Sequence, residues 1–339
     1  MKTCTTNYGE LKGITSSLNY ASGALKSCMV NKENCLQTSV GVLIPQYSPA
    51  TFGERQKKHR SSLDFFENGQ IKSAALDKQT LLKTPIGAVK AELVTFYKDG
   101  NINRVFPLNG LIDGYWSEAN EREIAEVLDF DLPIGQIHAK IIAIHFYPSG
   151  ALKSLTLWPG QGMSLETPLG PIDCRAGVSL YEDGTLRSLE PSSAVELPTP
   201  VGLIKAYDPE IIGMHADQNS VQFSPTGMLT AITTIHTGIH VVGPTGNEID
   251  IEPYEAESFI DPEQLRTVPM KITFTAESVH IEARRTHEFS LADHQFAQFD
   301  HKRVVKAVCK GCPGDDSCCQ NGSEGVGESG GCGGCGGCG

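Results

Sequence analysis

Short aromatic or aliphatic runs in this chain stop at a glycine and resume as an aliphatic residue, often followed by a basic and then a polar one. The phrase is plainest in Phe96-Tyr97-Lys98-Asp99-Gly100-Asn101-Ile102, Phe146-Tyr147-Pro148-Ser149-Gly150-Ala151-Leu152 and Leu180-Tyr181-Glu182-Asp183-Gly184-Thr185-Leu186. Asn19 to Leu25, Phe65 to Ile71 and Phe223 to Leu229 fit the same template, and Lys26-Ser27, Lys72-Ser73, Lys153-Ser154 and Arg187-Ser188 follow four of the copies. Apolar residues running into Asn-Gly or Asp-Gly, with alternation beyond, predict a β-hairpin whose turn needs a positive φ. In Ala151 to Leu157 the leucines at 152, 155 and 157 break strict alternation, which points to a bulge.

A second phrase interleaves with the first: Thr84-Pro85-Ile86-Gly87, Leu132-Pro133-Ile134-Gly135, Thr167-Pro168-Leu169-Gly170 and Thr199-Pro200-Val201-Gly202, with Thr38-Ser39-Val40-Gly41 as a weaker form. Proline fixes φ and glycine closes the turn. The distance from the first glycine to the second is 18 residues for Gly23 to Gly41, Gly69 to Gly87 and Gly184 to Gly202, and 20 for Gly150 to Gly170. A unit this small cannot bury its own apolar face, so neighbours must stack. The expected fold is mainly β: tandem hairpins forming a long antiparallel meander or solenoid-like sheet.

Two departures interrupt the pattern. Residues 117–128 predict a short helix with Ser117 as N-cap and Glu118 and Glu121 near its positive end. Beyond about Ile235 the repeat fades. Gly243-Pro244-Thr245-Gly246 predicts one more hairpin, Met270–Phe274 and Ser278–Glu282 two strands, and Ser290 to Val308 a capping helix with Phe296, Phe299, Val304 and Val308 as its stripe. The chain thus divides into a repeat array over 1–235, strands with a capping helix over 236–308, and a tail over 309–339.

The aromatic-x-x-Gly-x-Leu-Lys/Arg-Ser phrase resembles the MORN-type repeat, particularly its bacterial antitoxin-like variant, over about residues 8 to 235. The inserted Thr-Pro-Ile-Gly phrase and the uneven spacing depart from that family's pattern. The resemblance implies a β-hairpin scaffold that contacts proteins or lipids and is not an enzyme.

Composition narrows the classes. The 35 glycines and 19 prolines fit a turn-rich chain. A formal net charge of −12 argues against a nucleic-acid partner, which needs clustered Lys and Arg. The basic run Arg55, Lys57, Lys58, His59, Arg60 lies between Glu54 and Asp64 and reads as a solvated loop. No apolar stretch is long enough to span a bilayer, and residues 1–8 lack the apolar run of a signal peptide. The expectation is a cytoplasmic protein whose 11 cysteines stay reduced.

Seven of those cysteines fall in the tail: Cys309, Cys312, Cys318, Cys319, Cys332, Cys335 and Cys338. In a Cys-x2-Cys pair, two thiolates reach one tetrahedral ion at about 2.3 Å without distorting the chain. The pairs Cys309/Cys312 and Cys332/Cys335 are separated by 19 residues, close to zinc-ribbon spacing. The residues between them are mostly Gly, Ser, Glu and Asp, which predicts a claw ordered only by its ligand. Zinc or copper(I) suits such a bare site, and Cys332-Gly-Gly-Cys335-Gly-Gly-Cys338 also echoes iron–sulfur triplets, so the metal stays unassigned. A Gly/Cys extension with no specific ligand is the plain alternative.

Elsewhere the chemistry is sparse. His280, His287, His294 and His301 recur every seven residues, a spacing of about 10 Å on a helix that suits no single metal, and read as coincidence. His236 and His240 read as strand residues, and Cys28, Cys35 and Cys174 as small buried hydrophobes. No catalytic motif is present. The sequence therefore supports a non-enzymatic scaffold whose tail binds or delivers soft metal, with an unidentified protein partner. The alternatives are a metalloenzyme or cofactor-maturation factor built on the tail thiols, or a tail that is itself a substrate.

Overall fold

The computed structural model describes residues 2–49, 53, 55–58, 61–211, 219–258 and 264–302. It is mainly β, as the alternation predicts. One 18-stranded antiparallel sheet runs from an edge at Lys2–Thr6 to an edge at Thr286–Ser290 without closing into a barrel. Each strand pairs with the strand next made by the repeat: Leu25–Val30 with Leu63–Phe65, Gly87–Phe96 with Ile102–Phe106, Leu152–Leu157 with Gly170–Leu180.

Both phrases are turns, and they differ. In all six copies of the first, the amide at the aromatic position (Tyr20, Phe66, Tyr97, Tyr147, Tyr181, Ser224) donates to the carbonyl four residues on, and the glycine amide donates back to that position's carbonyl. The six glycines hold φ between +81° and +92°, the geometry of a type I turn closed by a G1 bulge. Gly243 to Asn247 repeats the same bonds as a seventh copy. One extra residue stands on the outgoing strand, and in four copies it is the basic one. Lys26, Lys72, Lys153 and Arg187 fall between paired residues and turn back over Tyr20, Phe66, Tyr147 and Tyr181 at 5.6 to 5.9 Å.

In the second phrase the threonine hydroxyl donates to the glycine carbonyl at 2.6 to 2.7 Å in the copies at 38, 84, 167 and 199. Thr6 and Gly9 form the same clasp at 2.8 Å, a copy the sequence pattern does not reveal. These turns cap hairpin arms such as Leu36–Thr38 with Gly41–Leu43 and Val195–Thr199 with Gly202–Ala206. Leu43, Leu82, Val89, Ile137, Leu165, Ile172 and Ile204 of the arms join Leu63, Phe65, Val94, Phe146 and Phe223 of the main sheet in one continuous core.

The units are also tied edge to edge. Tyr20 Oη donates to the Phe65 carbonyl at 2.9 Å, Tyr97 to Phe146 at 2.7 Å, Tyr147 to Leu180 at 2.9 Å and Tyr181 to Phe223 at 2.7 Å. Each hydroxyl thus reaches the next unit. Phe66 has none, so the rung to Phe96 is missing. The terminal serines of the phrase form a polar row on the sheet: Ser27, Asp64, Ser73, Thr95, Arg104, His145, Ser154, Ser179 and Ser188 are successive cross-strand neighbours.

The helix Glu118–Ile124 is capped by Ser117 in a capping box with Asn120. It stops before residue 128 because Val127–Leu132 is taken as the first strand of the Leu132-Pro133-Ile134-Gly135 hairpin, pairing Val127 with Lys140. The helix expected over 290–308 is corrected. Leu291 to Asp293 form a turn, and Gln295–Asp300 is a strand that pairs along the whole of Thr237–Val242. The open edge of that strand offers six residues of backbone bonding, which outweighs a weak helical stripe. Gly238 makes room for the Phe299 ring, which any Cβ there would strike. Val304 and Val308 lie outside the described residues.

Candidate functional site

The seven tail cysteines, Cys309, Cys312, Cys318, Cys319, Cys332, Cys335 and Cys338, lie outside the described residues. Among the described residues, no group of three or more His, Cys, Asp or Glu side chains is placed to hold a metal ion, and no helix is long and apolar enough to cross a membrane. Cys28 and Cys174 are buried, and burial pushes both thiols up to about 12. They pack as small hydrophobes. Cys35 does not; it is exposed.

Three polar clusters stand out. The first corrects the reading of the basic run as a solvated loop. Arg55 donates through Nη1 and Nη2 to both oxygens of Glu92, at 2.9 and 2.7 Å, and through Nε to Glu121 at 2.6 Å. Glu121 also receives the Trp116 indole N–H at 2.7 Å and the Gly110 amide at 2.7 Å. Burial opposes the charge on Glu121, but the Arg55 and Trp116 bonds win and hold its carboxyl below the ordinary range. Gly110 is obligatory, since a Cβ would collide with that carboxylate. Lys57 sends its ammonium to the carbonyls of Leu76 and Asp77, and burial lowers its pKa. Together these bonds pin Arg55, Lys57 and the helix to the sheet. His59 and Arg60 lie outside the described residues.

The second cluster surrounds Glu190, which is fully buried. Its oxygens accept from the Ser220 amide at 2.8 Å and the Asp208 amide at 3.2 Å, with Arg175 at 3.9 Å. Burial pushes its carboxyl up to about 7 against those bonds. Arg175 is committed to the carbonyls of Asp208 and Ile211 and stacks 5.3 Å over Tyr207.

The third is a cavity of about 550 Å3 between the hairpin around Glu252 and Tyr254 and the turn at Ala283 to Arg285. Glu252, Glu255, Arg284, Arg285, His287 and His301 line it. His301 closes the cavity from the end of the last strand, its amide bonded to the His236 carbonyl at 2.8 Å. Two of the four histidines at seven-residue spacing thus share one cavity, through strands rather than a helix. His294 instead packs edge-on to Phe289, 5.2 Å between ring centres. His236 stacks on Tyr207 and His240 bonds Asp250, so that pair shares no partner.

Apart from Glu121, read only as an acid at a helix start, the carboxylates of these clusters escaped sequence reasoning. For Glu92 a signal existed: it interrupts the apolar run Val89, Ala91, Leu93, Val94. For Glu252 and Glu255, in a polar segment, none did.

The geometry defines a β-hairpin repeat protein. The chain matches no protein-family model, no curated protein and no solved structure.

Proposed function

We propose that the chain is a MORN-like, non-enzymatic scaffold of stacked hairpins whose terminal thiolate segment binds soft metal. The observation that carries the reading is the cysteine pattern Cys-x2-Cys-x5-Cys-Cys-x12-Cys-x2-Cys-x2-Cys, confined to the last 31 residues. Seven thiolates at these spacings offer more than one tetrahedral soft site. The body supports the scaffold half of the reading: each unit repeats the same turn, and the same cation–ring stack and the same hydroxyl rung recur in four units each, the economy of a structure built for extent. Its sheet edges at Lys2–Thr6 and Thr286–Ser290 are places where a protein partner could add a strand.

Anaerobic purification followed by metal analysis and an absorption spectrum tests this. The native chain should retain zinc or copper(I) through gel filtration, or show the visible bands of an iron–sulfur cluster. A chain with the seven tail cysteines changed to serine should retain none. Tight metal that survives the seven changes would end the proposal.

A further inference from the structure

The cavity at the end of the last strand contains two buried atoms with no hydrogen-bond partner, one on His301 and one on Glu255. His301 is 7% exposed at its side chain and Glu255 10%, and neither His301 Nε2 nor Glu255 Oε2 is bonded. The other half of each side chain is fixed. Glu252 lies 2.8 Å from His301 Nδ1, and Thr267 Oγ1 donates to Glu255 Oε1 at 2.8 Å. A carboxylate has no proton to give, so Nδ1 carries the hydrogen that bonds Glu252, which leaves Nε2 as the ring nitrogen free to take a cation. That nitrogen stands 3.7 Å from Glu255 Oε1.

An imidazole nitrogen and a carboxylate buried side by side cost free energy unless a cation joins them. Ligands at about 2.0–2.1 Å on a tetrahedral zinc ion stand about 3.3 Å apart, so Nε2 and Oε1, at 3.7 Å, are close to a chelating separation. A carboxylate on Nδ1 that fixes the tautomer and aims Nε2 is the usual outer partner of a metal-bound histidine.

We propose that His301 Nε2 and Glu255 bind a divalent transition-metal ion, with Glu252 as the positioning residue. Two protein ligands leave the remaining positions to water from the open cavity, so the site is weak and exchangeable. Arg284 and Arg285, the positive groups at the rim, are exposed, and Arg284 lies 5.0 Å over the Tyr254 ring. His301 precedes Cys309 by eight residues, a reach of roughly 26–29 Å when extended. The site therefore stands within range of the thiol-rich segment without needing its sulfurs.

The full-length chain with all seven tail cysteines changed to serine isolates the site. Titrated with zinc, it should show one saturable, EDTA-reversible site. With cobalt(II) it should give weak d–d bands and no thiolate charge-transfer band. His301→Ala and Glu255→Gln should each abolish binding, Glu252→Gln should weaken it roughly tenfold or more, and His287→Ala should leave it unchanged. Circular dichroism of each variant verifies folding, and the two ligand variants serve as independent checks. No saturable binding in the serine chain, or binding indifferent to both ligand changes, would overturn the proposal and leave the tail reading intact. Loss of the tightly held metal in the native chain would sink the tail reading and leave this site standing.

Discussion

The hairpin ladder and the cluster around Arg55 hold this chain together by opposite means. In the ladder each unit contributes one turn, and a cation–ring stack and a hydroxyl rung recur in four units each along the sheet. Loss of any rung leaves its neighbours intact, because each unit touches only the next. At Arg55 one side chain serves two buried carboxylates, and those carboxylates gather Trp116, Asn109 and Gly110. There the bonds share a centre. Repetition spreads stability thinly, whereas an interruption of the repeat must be fastened at a point.

Arg55→Ala breaks the comparison most sharply. It leaves Glu92 and Glu121 buried and unpaired, a loss of about 3–5 kcal/mol by the measure of broken buried ion pairs. Urea denaturation should show it, and the Trp116 environment should change with it. A loss below about 1 kcal/mol would mean that water reaches the carboxylates and the cluster is no clamp.

Glu190 gives a second point-like effect, with a sign set by pH. Its folded pKa of about 7 lies above the ordinary 4.5, so the folded chain holds this proton more tightly than the unfolded one. The contribution is complete below about pH 4.5 and is lost as pH rises through about 7, up to about 3 kcal/mol in all. Stability measured across that window should fall with rising pH, and Glu190→Gln should flatten the slope. An unchanged slope in the variant would assign the pH dependence to another group.

What the sequence made legible divides along the same line. The turns are local: glycine is required where φ is positive, so Gly23, Gly69 and Gly184 announce the hairpins wherever they fall. Ser117 announces its helix by the same local logic. The clamp is not local, because Arg55, Glu92 and Glu121 lie up to 66 residues apart and meet only in the folded chain. The segment Gln295–Asp300 fails for a related reason. Its helical stripe is real, but the partner that makes it a strand, Thr237–Val242, lies more than 50 residues upstream. The cavity pair Glu255 and His301 has no sequence signal at all, being 46 residues apart on unrelated elements.

Smaller effects test the ladder. Gly23 has φ +86° and open space where a Cβ would stand, so Gly23→Ala isolates backbone strain. The cost should be about 1–2 kcal/mol, seen as faster amide exchange in Gly9–Asn19 and Leu25–Val30. No change in exchange there would mean that the bulged turn relaxes freely.

The hydroxyl rungs are smaller still, and the molecule carries its own control. Tyr97→Phe, Tyr147→Phe and Tyr181→Phe each remove one bond to the next unit's carbonyl, a loss of about 1 kcal/mol apiece. Because the bonds join nearest neighbours, each loss should be felt in the two units it joined and fade beyond them. Phe66 occupies the same position without a hydroxyl, and its ring already carries Lys72 at 5.9 Å. Phe66→Tyr should therefore add the missing rung to the Phe96 carbonyl, slowing exchange in Gly87–Phe96 while leaving Leu186–Pro191 untouched. If the added hydroxyl slows exchange across the whole sheet, the units are not independent, and the contrast between a distributed ladder and a local clamp fails.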